Sequence, residues 1–413
     1  MKRNAFLTVA AVSALALVFA SCGKKEPAAA GGSSSSSAGS AAPEKITLKV
    51  WESLQGPDEF IKKAGEAYTK LHPNVTVEFV NVELGDASGQ IALDGPAGVG
   101  PDLFAAPHDK LGELVTGGHV LPTVDADGVK KSVLGACSQA LTYNGTMYGY
   151  PVSAETYALF YNKALISESD VPKSWDQLSI WVKDFNAKNK GKYGFVMDVG
   201  NGYYTIIFTT EKGNRLFGSS GNDTSTSYLN STAAVEGMKF FQSLRKVLDV
   251  SADDLTTATC DAAFQSGNAA MHITGLWNVR PFEDAGIDFG VAPLPSLPGE
   301  STPSASFSGT RSMQVSAYSE HPAEAADFAK FLLTPEMQQL RFDLTGAMPS
   351  IDTPVSSKYI SGFLKQLDYA FPMPSIPEMG AFWDTMGNTS KNIWNGADVK
   401  AELDACDAAI IKK

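Results

Sequence analysis

Apolar Ile46, Leu48 and Val50 alternate with Thr47 and Lys49, the period of a half-buried strand. Trp51 then falls on the opposite face, at the strand's carboxyl end. Pro57 with Asp58 and Glu59 reads as a helix first turn, and Phe60, Ile61, Ala64, Tyr68 and Leu71 follow at helical spacing as one apolar stripe. Pro73 stops that helix, and Val75, Val77 and Phe79 restore the two-residue period. Residues 46–80 therefore predict a βαβ unit, with the right-handed crossover such units almost always have, opening a parallel sheet.

The alternation continues downstream. A strand is predicted at Asp102–Ala105, a helix from about Lys110, and a hairpin in which Asn144-Gly145 turns between Leu141-Thr142-Tyr143 and Met147–Tyr150. A second set comprises a strand at Ala158–Tyr161, a helix with Leu178, Trp181, Val182 and Phe185 on one face, and a strand at Tyr193–Met197. Two such sets predict two lobes. Leu294–Ser308, rich in Pro, Ser and Gly, reads as a link, and helices near Ala323–Leu333 and Val399–Ile410 close the chain. No repeat of fixed period is present.

The N-terminus has a different pattern. Lys2 and Arg3 precede an apolar run from Ala5 to Ala20, the layout of an export signal and shorter than the roughly 20 residues a membrane span needs. Phe19-Ala20-Ser21-Cys22-Gly23 resembles the bacterial lipoprotein cleavage motif, although Phe19 stands where Leu is usual. Gly23–Pro43, dominated by Gly, Ala and Ser, predicts a flexible tether. The expectation is a signal peptide at residues 1–21, a tether at residues 22–43 lipidated on Cys22, and an exported protein anchored to the cell membrane, facing the periplasm or exterior.

The chain of 413 residues carries 33 Lys and Arg against 45 Asp and Glu, a formal charge of -12, with no long basic run. That balance argues against nucleic acid, whose phosphates need clustered cations. The four cysteines include no CxxC pair, so neither a disulfide scaffold nor a zinc ribbon fits. A Cys137–Cys260 pair stays open, whereas Cys406 shares the helical stripe of Val399, Leu403 and Ile410. HExxH, GxSxG, Walker A and a complete GxGxxG are all missing, and the five histidines lack metal-ligand spacing. His272 alternates with Met271 and Ile273 in a strand pattern and reads as structural, and neither metal nor cofactor is expected.

Several strings are collinear with one family. Leu48-Lys49-Val50-Trp51, Gly100-Pro101-Asp102, His108-Asp109-Lys110, Tyr143-Asn144-Gly145 and Tyr150-Pro151 with Glu155 and Tyr161-Asn162-Lys163 come first. Ala270-Met271-His272-Ile273-Thr274-Gly275-Leu276-Trp277 and Ile376-Pro377-Glu378-Met379-Gly380-Ala381-Phe382-Trp383 follow. In these the chain resembles the extracellular solute-binding proteins of sugar ABC transporters, within the maltose/maltodextrin-binding group, from Glu44 to Lys413. The resemblance implies an α/β, two-lobed periplasmic-binding-protein fold of type II, each lobe a sheet flanked by helices. Residues 44–153 with 308–355 would form one lobe and residues 154–307 with 356–413 the other, crossing near Ser153, Phe307 and Val355. It further implies a monomer without catalysis that closes on an oligosaccharide and delivers it to ABC permease subunits.

The same resemblance implies site residues. A sugar offers apolar faces and a rim of hydroxyls, which call for flat aromatic platforms and fixed polar partners. Trp51, Tyr203, Trp277 and Trp383 match the platforms, and Trp51 also ends a strand, where open α/β sheets bind ligands. Asp109 and Glu155 match carboxylates that accept hydroxyls, and Lys110 stands at a cationic donor position where Arg is more usual. Glu52 and Gln55, with Glu83 and Asp86, are further first-lobe candidates, and Met373 is a candidate for a far subsite. Two departures bear on substrate: Ala106 stands where an aromatic platform is common, and Asn201 replaces a common carboxylate. A roomier, less acidic pocket is expected, for a maltodextrin or another sugar such as trehalose. A secreted glycosidase is the alternative, because Asp109 and Glu155 could flank a scissile bond; a sensory receptor using the same cleft is another.

Overall fold

The computed structural model describes residues 44–355 and 357–411. Cys22, the predicted signal peptide and the tether lie outside them. The predicted βαβ unit is present: β1 (Ile46–Glu52) and β2 (Val75–Asn81) pair in parallel from Ile46↔Val75 to Glu52↔Asn81, joined by the helix Pro57–Leu71. The alternation of β1 buries Leu48 and Val50 completely against Phe60 and Ile61 of that helix. The third strand, β3 (Leu103–Pro107), lies parallel to β1 on its other edge. The hairpin of β4 (Thr142–Tyr143) and β5 (Thr146–Met147) turns at Asn144 and Gly145 with φ of 47° and 81°, the left-handed pair that Asn-Gly tolerates.

Two long strands then join two cores. β6 (Tyr150–Asn162) runs for 13 residues, and its later half is the strand expected at Ala158–Tyr161. Shorter β7 (Met271–Gly275) and β8 (Phe289–Ala292) flank that half, β9 (Phe307–Val315) pairs with the first half, and β10 (Phe371–Pro372) adds to the start of β9. The sheet order is β2-β1-β3-β9-β6-β7. Val152 of β6 packs in a core with Leu48, Phe60 and Phe328, whereas Tyr157 five residues on belongs to a second core. In β9 the direction reverses, Phe307 lying in the second core and Met313 in the first.

The second core is aromatic: Phe160 meets Phe264, Phe282, Phe289 and Phe363 with ring centroids 5.4 to 6.2 Å apart. Each such ring contributes about 1.5–3 kcal/mol by leaving water. The helices expected around Leu178, at Ala323–Leu333 and at Val399–Ile410 span Trp175–Lys188, Pro322–Phe331 and Val399–Ile410.

One local expectation differs from the structure. Tyr193–Met197 makes only isolated bridges, Tyr193↔Ala269 and Val196↔His272. Between them the Gly194 N–H donates to Asn186 Oδ1 at 2.7 Å, which takes that group out of any ladder. The helix expected from about Lys110 is present as the short helix Leu111–Thr116, entered through a 3-10 turn at His108–Lys110, and beyond it Gly118 turns the chain at φ 71°. Among the described residues no helix is long and apolar enough to cross a membrane.

Candidate functional site

A cleft of about 680 Å³ opens where the two cores face each other across β6 and β9. Pro107, Asp109 and Lys110, at the end of β3, line one side. Asn201, Tyr203, Trp277 and Trp383 line the other, with Glu155, Thr310, Arg311 and Met373 between. A smaller cavity of about 270 Å³ shares Ser53, Glu83, Glu155, Trp277 and Arg311 with it and adds Gln55 and Arg341.

The first wall is fixed by a buried histidine. The Thr310 N–H donates to His108 Nδ1 at 3.1 Å, so the ring proton sits on Nε2 and is donated to the Met373 carbonyl at 2.9 Å. Burial pushes the His108 pKa down, in keeping with this neutral ring. His108 thus ties β3, β9 and the Met373 segment together, and the next residue, Asp109, faces the cleft. Burial raises the Asp109 pKa against the opposing pull of the Trp383 N–H and Lys110. Lys110 lies 3.5 Å from Glu113. Glu155, opposite Gly309 in the β6–β9 ladder, accepts from Ser153 Oγ at 3.0 Å.

The second wall is aromatic. Asn201 caps the one-turn helix Gly202–Thr205, its Oδ1 accepting from the Tyr203 N–H at 2.9 Å, and this cap aims Tyr203. The Tyr203 ring packs against Tyr157 at 4.7 Å and lies 6.1 Å from Trp277. Burial pushes its phenol well above the ordinary value. Trp277 follows β7 in the turn Leu276–Asn278 and keeps 38% of its surface exposed, unusual for so large an apolar group. Its indole lies over Gly275, where a Cβ would come within 2.2 Å of the ring, so glycine is needed for this pose. Trp383 projects from the helix Glu378–Trp394, its ring 4.8 Å from Phe382.

Of the residues singled out in the sequence, Asp109, Lys110, Glu155, Asn201, Tyr203, Trp277, Met373 and Trp383 meet in the larger cavity, and Gln55 lines the smaller. Glu83 lines both, whereas Asp86 precedes the helix Ala87–Asp94 and lines neither. Two other candidates are elsewhere. Trp51 is 2% exposed and packs with Val82, Ile91 and Phe104, because the alternation of β1 turns it into a small apolar cluster. Glu52 is fully buried and in neither cavity wall. Its carboxylate accepts from the Ser53 N–H at 2.6 Å and from Arg311 Nε at 2.9 Å and Nη2. Ala106 is also sealed in the cluster with Trp51, so its small side chain does not widen the cleft; its neighbour Pro107 forms the wall.

The principal residue the sequence reading missed is Arg311. Burial works against its charge, but Glu52 and Glu155 outweigh this and raise its pKa. Behind it, Arg341 is pushed down to about 10 by burial and by Arg311, against the attraction of Glu52. A signal was present: Arg311 is the one charged residue in the strand Phe307–Val315. Among the described residues no cluster of His, Cys, Asp and Glu suited to a metal ion occurs.

Residues 51–339 match the model of the bacterial extracellular solute-binding protein family. The chain belongs to this family. It is 31% identical, over 98% of its length and 95% of the relative's, to a galactooligosaccharide-binding protein of Bacillus subtilis (strain 168). It is 29% identical to a maltooligosaccharide ABC transporter solute-binding lipoprotein of Streptococcus pneumoniae serotype 4, over 94% of this chain and 91% of that one. A crystal structure of a cyclo/maltodextrin-binding protein complexed with maltotetraose superposes with a TM-score of 0.75 at 34% identity, covering 90% of this chain and 97% of the other. The fold is accordingly the two-lobed α/β fold of a solute-binding protein, and the cleft between its two cores is its candidate ligand site.

Proposed function

We propose that this protein is the carbohydrate-binding component of an ABC importer, held at the membrane by a lipid on Cys22, and that it binds a neutral oligosaccharide of maltodextrin type without turning it over. One observation carries the reading: Tyr203, Trp277 and Trp383 line one cleft of about 680 Å³ together with Asp109, Lys110 and Glu155. Flat rings suit the apolar faces of hexose units, and the carboxylates and lysine suit their hydroxyls. Relatives named for maltooligosaccharide and galactooligosaccharide support the sugar class, and the lipoprotein naming of one supports the anchor. The two names differ in the hexose they imply, glucose against galactose, so the identity of the sugar is the first thing to measure.

Isothermal titration with maltose, maltotriose, maltotetraose, trehalose and a galactotriose, with tryptophan fluorescence in parallel, is the test. Saturable binding to at least one glucan is expected. Binding to galactotriose alone would move the substrate out of the glucans, and silence across the panel would overturn the sugar assignment. In the same samples, reducing ends accumulating over many turnovers would replace the transport reading by a hydrolase.

A further inference from the structure

Only part of the Arg311 guanidinium is used by the protein. Its Nε donates to Glu52 Oε1 at 2.9 Å, while Nη2 donates to Glu52 Oε2 and to Ser53 Oγ at 2.7 Å. These bonds take three of the five N–H groups that a guanidinium carries. The other two, on Nη1, have no acceptor among the described residues. Nor is Nη1 sealed away: the Nε and Nη1 of neighbouring Arg341 are buried without partners, whereas Arg311 Nη1 is not among such groups, and Arg311 lines both cavities of the cleft. Glu83 and Glu155 line the same two cavities.

We propose that Arg311 is a ligand-contacting, specificity-determining residue, whose Nη1 donates to a hydroxyl or ring oxygen of a neutral sugar unit seated where the two cavities join. The inference deepens the sugar-binding reading and rests on it. Three features favour it. The two-pronged bond to Glu52 holds the fork in one plane, so the free edge is oriented before ligand arrives and little freedom is lost on binding. Glu52 balances the Arg311 charge from behind, and Glu83 and Glu155 add negative charge in front, which disfavours an anionic sugar and leaves a donor for a neutral one. The backbone of Arg311 pairs with Pro107 of β3 and Ser153 of β6, so the donor is fixed on the strand that enters both cores.

The test must separate contact from architecture, because Arg311→Met alone strands the buried Glu52 carboxylate. The double variant Glu52→Gln/Arg311→Met removes both charges together, and Arg311→Lys keeps the charge while losing the fork. Thermal unfolding establishes which variants fold. Wild type and folded variants are titrated with maltotriose, maltotetraose and a galactotriose, and wild type is crystallised with whichever sugar binds. The expected result is a sugar oxygen within about 3.2 Å of Nη1 in the complex and affinity at least about tenfold weaker in each folded variant. Folded variants binding within about twofold of wild type, or a complex with no sugar oxygen near Nη1, would overturn the inference while leaving the sugar reading intact. Wild type silent toward all three sugars would overturn both.

Discussion

The indole N–H of Trp383 donates to Asp109 Oδ2 at 2.8 Å, joining residues from opposite walls of the cleft. The bond occupies one carboxylate oxygen of Asp109 and fixes the edge of the Trp383 ring, so the platform and its nearest acceptor are set as a unit. The other oxygen of Asp109 accepts no side-chain hydrogen bond among the described residues and, on the proposed function, would accept from a ligand hydroxyl.

This arrangement predicts a pH dependence of binding. Burial raises the Asp109 pKa above its ordinary 3.8, so the carboxyl takes up a proton at a higher pH than an exposed aspartate does. A hydroxyl donating to the carboxylate favours the ionised form, and protonation removes that acceptor. Affinity is therefore expected to fall as pH drops through the raised pKa, in a range where exposed carboxylates are still ionised. Titration from neutral pH down toward about 4 checks it. Asp109→Asn, which cannot ionise, is expected to bind more weakly at neutral pH and to lose the acid-side decline. An unchanged decline in that variant would place its origin elsewhere.

Two tryptophans that look equivalent in the sequence should behave in opposite ways. Trp277 is 38% exposed over the cleft, and Trp51 is 2% exposed within an apolar cluster. Trp277→Ala is expected to change stability little and to weaken sugar binding by about tenfold or more. Trp51→Ala is expected to cost about 3–5 kcal/mol of stability, the usual range for emptying a large aromatic site, with affinity of the folded fraction nearly preserved. Urea unfolding and calorimetric titration on the same two proteins decide the matter.

That contrast marks where sequence reading reaches its limit. The βαβ opening, the Asn144-Gly145 hairpin and the later amphipathic helices were legible because each is governed by local periodicity or turn chemistry. The second-wall aromatics were legible through collinear strings. Trp51 was misplaced because a two-residue period says which residues share a face, not which face meets solvent; here both faces of the end of β1 are covered, so Trp51 and Val50 are both buried. Glu52 was misplaced for a related reason, since its partner lies 259 residues away on β9. No local signal reports a contact of that span. Arg311 is the lone charge in an otherwise uncharged strand, a signal that carries no role by itself, and only the fold shows that it meets Glu52.

The Glu52–Arg311 pair carries its own stability prediction. Glu52 is the carboxylate that, among the described residues, lies within 4 Å of two buried guanidinium groups, Arg311 in hydrogen-bond contact and Arg341 Nη1 at 3.7 Å. Glu52→Ala removes the nearest carboxylate from both buried cations and leaves the more distant charge of Glu155 facing them, and removing one member of a buried pair typically costs about 3–5 kcal/mol. A loss of that size in urea unfolding is expected. Glu52→Gln, which keeps an acceptor oxygen, is expected to lose less. If Glu52→Ala unfolded at the wild-type midpoint, the pair would be energetically idle and the rigid presentation of Arg311 would lose its basis.

The cysteines allow a chemical test of the cores. Cys137, Cys260 and Cys406 are free thiols and all are buried, so no bridge joins Cys137 to Cys260 here. Burial pushes the Cys137 thiol up to about 11 and that of Cys260 up to about 12, and raises Cys406 as well. Since the thiolate is the reactive form, all three are expected to resist alkylation in the native protein at neutral pH and to react only on unfolding. Iodoacetamide labelling in a urea series, read cysteine by cysteine in the mass spectrometer, gives an independent report on each region. Cys260 and Cys406 belong to the second core, so their labelling midpoints should coincide. If the two cores unfold as one unit, Cys137, packed outside both, should share that midpoint. An earlier midpoint at Cys137 alone would show its surroundings opening before the aromatic core does.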